Sequence, residues 1–349
     1  MQLIIRDLIY RSPHKTIRMN HTITAAWTAT LLACCLGTPP DATAQQTPPV
    51  RITCNTDGTS APNGVEIVKE LSYTQHTLGD TYPYKDTERR FQWDKIGEWL
   101  SALEAAQQDS VTWVTLQNYK DRNGIAPEVQ DPEINEYRSA TDRYGVSRYQ
   151  SIPLYGSQTG KPARYSRDGA LFLLLKDSAD YVKVCSMLYD GAWYVPKDYV
   201  RTLPVHRFSK VIFVDRTDQN IATLEKMGTV WYVRSMNPAT TGLHNPPYQQ
   251  ETPLGVYVIQ EHKPKMYYLR DGSSEIAGFA PWASRFTRGG YIHGVPLNNP
   301  KATEKNYIEF SPTLGTTPRS HMCVRNATSH AKYIYDWATP LESLVIVID

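Results

Sequence analysis

A cysteine becomes a nucleophile where its surroundings favour the thiolate, and one run of this chain supplies two such influences. In Ser320-His321-Met322-Cys323-Val324-Arg325-Asn326, Arg325 is a cation two residues from Cys323, and a helix is expected to begin a few residues later. A cation and a helix amino terminus both lower a thiol pKa. A thiolate supports covalent catalysis and needs an acid/base partner, usually histidine. His293 closes the strand-like Gly290-Tyr-Ile-His293 and precedes Gly294, so its ring is expected at a strand end. His321 lies two residues before Cys323 in the same loop, and in an extended loop such residues share one face. His76, His206, His262 and His330 read as hydrogen-bonded surface or core residues. His293, His321 and His330 lack close ligand spacing, and Cys-x-x-Cys, His-Glu-x-x-His and the glycine motifs for phosphates or dinucleotides are absent. Neither a metal nor a cofactor is expected.

The elements that must position these residues follow from length and patterning. A chain of 349 residues with 41% hydrophobic and 21% charged side chains reads as two or three folded domains. Residues 1–44 read as a signal peptide: four bases, the apolar run from Ile23 to Leu36, and small residues in Ala42-Thr43-Ala44 before an expected cleavage at Gln45. The competing reading is a lipoprotein through Leu31-Leu32-Ala33-Cys34, so a membrane enters only if Cys34 is lipidated. Either way the chain is expected outside the cytoplasm, in the periplasm or cell envelope. Beyond residue 44 the +2 net charge falls to zero, which excludes an electrostatic footprint for nucleic acid. Cys54, Cys185 and Cys323 remain, an odd number, so at least one thiol is free or pairs outside the chain.

Residues 45–62 read as a linker and 63–150 as a region of undefined role. That region includes a helical pattern through Trp93, Ile96, Leu100 and Leu103 and a strand near 111–119. From 151 to 205 short strands such as Ala170–Leu175 and Asp190-Gly-Ala-Trp-Tyr-Val195 resemble a bacterial SH3-like barrel, a module that often binds wall peptides. Residues 206–349 are again strand-rich, with one helix between Asn326 and Trp337 and a closing strand Leu344–Ile348. The 23 tyrosines and 8 tryptophans suit this β-rich texture. The expected fold is mainly β: a C-terminal β-sandwich or open barrel with a peripheral helix, a small barrel before it and an α-containing N-terminal region.

Taken in order, Ile292-His293-Gly294 and Ser320-His321-Met322-Cys323-Val324-Arg325-Asn326 resemble the catalytic signature of the L,D-transpeptidase family. Val211-Ile-Phe-Val-Asp215 with Gln219-Asn-Ile221, and Thr252-Pro253-Leu254-Gly255, resemble that domain's opening hairpin and a turn. The resemblance covers about residues 208–349. It implies a cysteine acyltransferase of peptidoglycan biosynthesis whose partners are stem peptides, as acyl donor and amine acceptor. Cys323 would be the nucleophile and His293 the proton carrier. Ser320, His321, Met322 and Gly294 would support them, and Arg325 and Asn326 would bind substrate. Met322 departs from the family, which has glycine there, and residues 295–319 are long for it and read as a lid. Water in place of the amine would give an L,D-carboxypeptidase. A non-catalytic wall-binding protein is the reading from another class.

Overall fold

The computed structural model of the chain describes residues 64–107, 111–189 and 191–349. The signal segment, the linker and Cys54 lie outside them. In chain order come β1 (Glu66–Lys69), β2 (Thr81–Tyr84), β3 (Thr87–Arg90), α1 (Trp93–Ala106), β4 (Trp113–Leu116), β5 (Glu133–Ile134) and β6 (Ala140–Thr141). Then follow β7 (Ser151–Leu154), β8 (Arg164–Arg167), β9 (Leu171–Asp177), β10 (Tyr181–Cys185), β11 (Ala192–Pro196) and β12 (Val200–Thr202). The last third holds β13 (Lys210–Asp215), β14 (Asn220–Met227), β15 (Val230–Pro238), β16 (Gly255–Val258), β17 (Glu261–Leu269), β18 (Ile276–Thr287), β19 (Gly290–His293), β20 (Val324–Arg325), α2 (Thr328–Trp337) and β21 (Ser343–Ile348). Strands dominate, as the alternating sequence requires.

A six-stranded sheet, β1-β15-β14-β13-β21-β16, is the backbone of the molecule. Side chains alternate across a strand, and both faces of this sheet are apolar. Val211 and Phe213 with Leu344 and Ile346 face one core, which α1 covers with Ile96, Leu100 and Leu103. Ile212 and Val214 with Val345 and Val347 face a second core, shared with Ile292, Val324 and Ile334. β1 extends the sheet by pairing parallel to β15, with Ile67 opposite Trp231. Residues 64–107 are therefore built into the same core as the C-terminal strands.

A second sheet, β11-β10-β9-β4-β12, runs through the middle of the chain and takes β4 from outside residues 151–205. A third, β17-β18-β19-β20, carries the residues of interest. The turn between β8 and β9, which leads into the second sheet, is joined to the third by a buried ion pair, Asp168 Oδ2 to Arg285 NH1 at 2.7 Å. The remaining acceptor sites of Asp168 are met by the Asn118 N–H (2.8 Å) and Gln260 Nε2 (2.9 Å). A buried pair stabilises only with such extra partners.

α2 starts at Thr328, and Ala327, at its N-cap, offers no side-chain acceptor. Glu309 supplies one from the long 295–319 segment: its carbonyl accepts from Thr328 N–H (2.8 Å) and its carboxylate from Ser329 N–H (3.0 Å). Orphan helix donors must be met somewhere.

The fully buried Leu100 ties α1 to the main sheet. Replacing it with alanine should cost about 2–5 kcal/mol, read as a lower urea midpoint with an unchanged slope; an unaltered midpoint would show that α1 is not part of this core.

Candidate active site

β19 and β20 pair in parallel, Ile292 opposite Val324 and His293 opposite Arg325. Ile292 and Val324 point into the second core, so the period of two sends Tyr291, His293, Cys323 and Arg325 to the other face. Cys323 packs there against Tyr291, Ala283 and Met266.

The loop that delivers Cys323 is held by two hydroxyls. Ser320 Oγ accepts from Met322 N–H (3.2 Å) and donates to the Cys323 carbonyl (2.5 Å). Thr252 Oγ1 donates to the Met322 carbonyl (2.7 Å) while accepting from Gly242 N–H (2.9 Å). Met322 lies at φ 138°, a region that favours glycine, and its Cα is so close to Gly242 that a Cβ there would sit 2.8 Å away. The methionine is thus kept in a glycine-like conformation by its neighbours. With Met322 N–H taken by Ser320, the Cys323 N–H is left as the donor without a partner among the described residues.

His293 is buried, and its Nδ1 donates to the Gly294 carbonyl at 2.6 Å. That bond fixes the tautomer and leaves Nε2 bare as an acceptor. Gly294 admits no side chain, since a Cβ would meet Thr328 Oγ1 at 2.9 Å and Pro281 Cγ at 3.0 Å. Burial, with the charge of Arg325 added, pushes the imidazole down to about 4 against the pull of the Gly294 bond.

The thiol departs from the sequence expectation. Cys323 is 9% exposed, and burial pushes it up to about 11, against the lowering by the Tyr291 backbone N–H and Arg325. The helix start expected to activate it is five residues away and engaged by Glu309. In this resting arrangement Sγ donates to the Gly289 carbonyl at 3.4 Å. The pair is a neutral thiol and a neutral imidazole.

His321 points away from the thiol, its Nε2 2.9 Å from Asp271 on the turn between β17 and β18. Asn326 is fully buried, with Oδ1 3.1 Å from His330 Nδ1 and Nδ2 donating to the Val324 carbonyl. It braces α2 and cannot face a substrate, which corrects the sequence assignment. Arg325 is partly buried near Cys323 and Tyr268, and its Nε has no hydrogen-bond partner. Residues 295–319 are anchored along their length instead of hinged. Leu297 and Phe279 exchange backbone bonds at 2.9 and 3.1 Å, Lys265 Nζ reaches the Ala302 carbonyl at 2.8 Å, and Gly315 N–H donates to Ala239 at 2.9 Å.

Sequence reasoning missed Tyr291, which packs on Cys323. Its hydroxyl meets Tyr119 (3.2 Å) and Lys263 (3.1 Å). Tyr119 also lines a cavity of about 390 Å³ between the second and third sheets, with Arg122, Asp168, Glu261 and Arg285. The only sequence signal for Tyr291 was its period-two spacing from His293. Among the described residues no group of three or more His, Cys, Asp or Glu is placed to hold a metal ion.

Only the thiolate reacts with iodoacetamide. With the thiol near 11, alkylation of Cys323 should rise about tenfold per pH unit from pH 7 to 10; a plateau already at pH 8 would contradict a neutral buried thiol. Thr252→Val would strand the Met322 carbonyl and the Gly242 N–H, each at about 1–3 kcal/mol. A lower melting temperature and slower acylation of Cys323 are expected, and unchanged values for both would remove the clamp from the account.

Residues 209–347 match the family model described as YkuD, the L,D-transpeptidase catalytic domain. Among curated proteins there is no match. Among solved structures, a fused Zn-dependent amidase/peptidase/peptidoglycan-binding domain-containing protein from Clostridium acetobutylicum ATCC 824 is 17% identical, over 42% of this chain and 54% of that one, with a TM-score of 0.29. An L,D-transpeptidase from Mycobacterium smegmatis is 15% identical, over 50% and 80% of the two chains, with a TM-score of 0.33. One from Mycobacterium tuberculosis H37Rv is 17% identical, over 53% and 92%, with a TM-score of 0.32. On the family match, the segment that carries His293 and Cys323 is a YkuD-type L,D-transpeptidase catalytic domain.

Proposed function

We propose that this chain is an exported peptidoglycan L,D-transpeptidase working in the periplasm or cell envelope, with residues 151–205 as an SH3-like module beside the catalytic domain. The observation that carries the reading is the β19–β20 register. It sets Cys323 two residues out of register with His293 and so on the same face, with the His293 tautomer fixed by Gly294.

Because burial disfavours both charged forms, proton transfer accompanies bond formation and does not precede it. Cys323 Sγ attacks the carbonyl following the L-centre of the stem's third residue while its proton passes to His293 Nε2. The Cys323 N–H is the backbone donor left to receive the oxyanion, which is the kind of preorganised dipole that lowers such barriers. As the C–N bond breaks, His293 returns the proton to the departing D-alanine amine, leaving a thioester. An amine of a second stem then attacks the thioester, gives up a proton through His293, and restores the thiol with a new amide bond. Arg325, with an unsatisfied Nε, supports a carboxylate-binding or loop-bracing role, for which its planar fork is suited.

His293→Ala should slow thioester formation with a carbapenem by about two to four orders of magnitude, followed by intact-protein mass spectrometry. His321→Ala, removing a group turned toward Asp271, should leave that rate near the parent value. Near-parental acylation by His293→Ala would remove His293 from the mechanism. With disaccharide-tetrapeptide, a cross-linked dimer supports transfer, tripeptide alone points to hydrolysis, and unchanged substrate sinks the enzymatic reading.

A further inference from the structure

Arg288, on the turn between β18 and β19, is 9% exposed, and its buried Nε makes no hydrogen bond. No ion pair engages it among the described residues. Three residues earlier Arg285 is comparably buried but doubly paired, to Asp168 and to Glu261, each at 2.7 Å. Burying a cation without a partner is costly, so the contrast asks what Arg288 is for.

A second arginine is brought to the same place. Thr287 Oγ1 donates to the Asp168 carbonyl at 2.6 Å. The residues flanking that bond are Arg288 on the third sheet's β18–β19 turn and Arg167 at the end of β8, and the charge of Arg167 acts on Arg288. Arg167 also lacks an ion pair among the described residues. The nearby acids Asp121 and Asp168 favour its charge from a distance, but neither makes an ion pair with it. Asp168 is engaged by Arg285, Gln260 and Asn118, and Asp121 Oδ1 accepts from Gln150 N–H. Burial, and next the charge of Arg167, push Arg288 down to about 10, which leaves it a cation at neutral pH. The turn that bears it also touches the nucleophile, since the next residue, Gly289, accepts the hydrogen bond from Cys323 Sγ at 3.4 Å.

We infer that Arg288 and Arg167 form a carboxylate subsite for the peptide substrate beside Cys323, the buried guanidinium reading the anion and the more open one drawing it in. The inference rests on the transpeptidase reading, and it adds a contribution from Arg167, which lies outside the family-matching segment. Two substrate carboxylates have the required chemistry: that of the terminal D-alanine and the second carboxylate of the diamino acid.

The test is calorimetric binding to Cys323→Ala protein of the free tetrapeptide, its C-terminal carboxamide and its form amidated on the diamino acid. The free tetrapeptide should bind about tenfold more tightly than one of the two amides, the scale of a charge-assisted hydrogen bond, and which amide loses affinity identifies the carboxylate read. Adding Arg288→Gln or Arg167→Gln should close that gap, and Arg288→Lys should keep part of it. The melting temperature of Arg288→Gln should not fall, because the substitution removes an unpaired buried charge. A gap that survives both glutamine variants, or is absent from the start, overturns the subsite. Thioester formation by the otherwise unaltered chain is read separately. A thioester without a carboxylate preference sinks the subsite alone, whereas a preference without a thioester leaves the subsite and sinks the transpeptidase reading.

Discussion

The two-residue parallel ladder between β19 and β20 is the constraint on which the site depends. Ile292 and Val324 are fully buried on its inner side, and that burial sets the register. A slip of β20 by one residue would drive Cys323 into the apolar core and turn Val324 outward. Everything else around the thiol serves this placement. Ser320 and Thr252 fasten the approach to β20, while Gly294 lets β19 pass close to α2.

The electrostatics follow from the same placement. A site reached by burying both partners cannot rest as an ion pair, because desolvation opposes the thiolate and the imidazolium alike. The thiol is then unreactive as a nucleophile for as long as it stays protonated. Such a thiol is also protected from oxidation, which proceeds through the thiolate. The molecule gives up the activation that a free helix end would have offered, since Glu309 takes the first-turn donors of α2.

How much of this was legible in the sequence divides along physical lines. The α1 pattern through Trp93, Ile96, Leu100 and Leu103, the closing strand and the placing of His293 at a strand end were readable, because period and local motif encode them. The ionisation state was not. Arg325 is adjacent in sequence and argued for a low thiol pKa, but burial is a property of the whole fold and outweighed it. Asn326 was likewise misassigned, since facing outward or inward after a two-residue strand depends on His330 one helical turn later. The role of residues 64–107 was hidden because β1 finds its partner 164 positions away, and no local pattern announces a long-range parallel pairing.

The main sheet also has an order of assembly written into it. β21, the final strand of the sequence, does not close an edge: it lies between β13 and β16, pairing parallel with one and antiparallel with the other. Until those residues emerge, β13 and β16 have no bond to each other and each presents an unpaired apolar edge. The chain therefore cannot complete its central layer from the amino terminus onward, and contacts this distant in sequence are slow to close. For a nascent polypeptide this amounts to a delay line: the central layer stays open until β21 has been made. Until then the open edges of β13 and β16 need shielding.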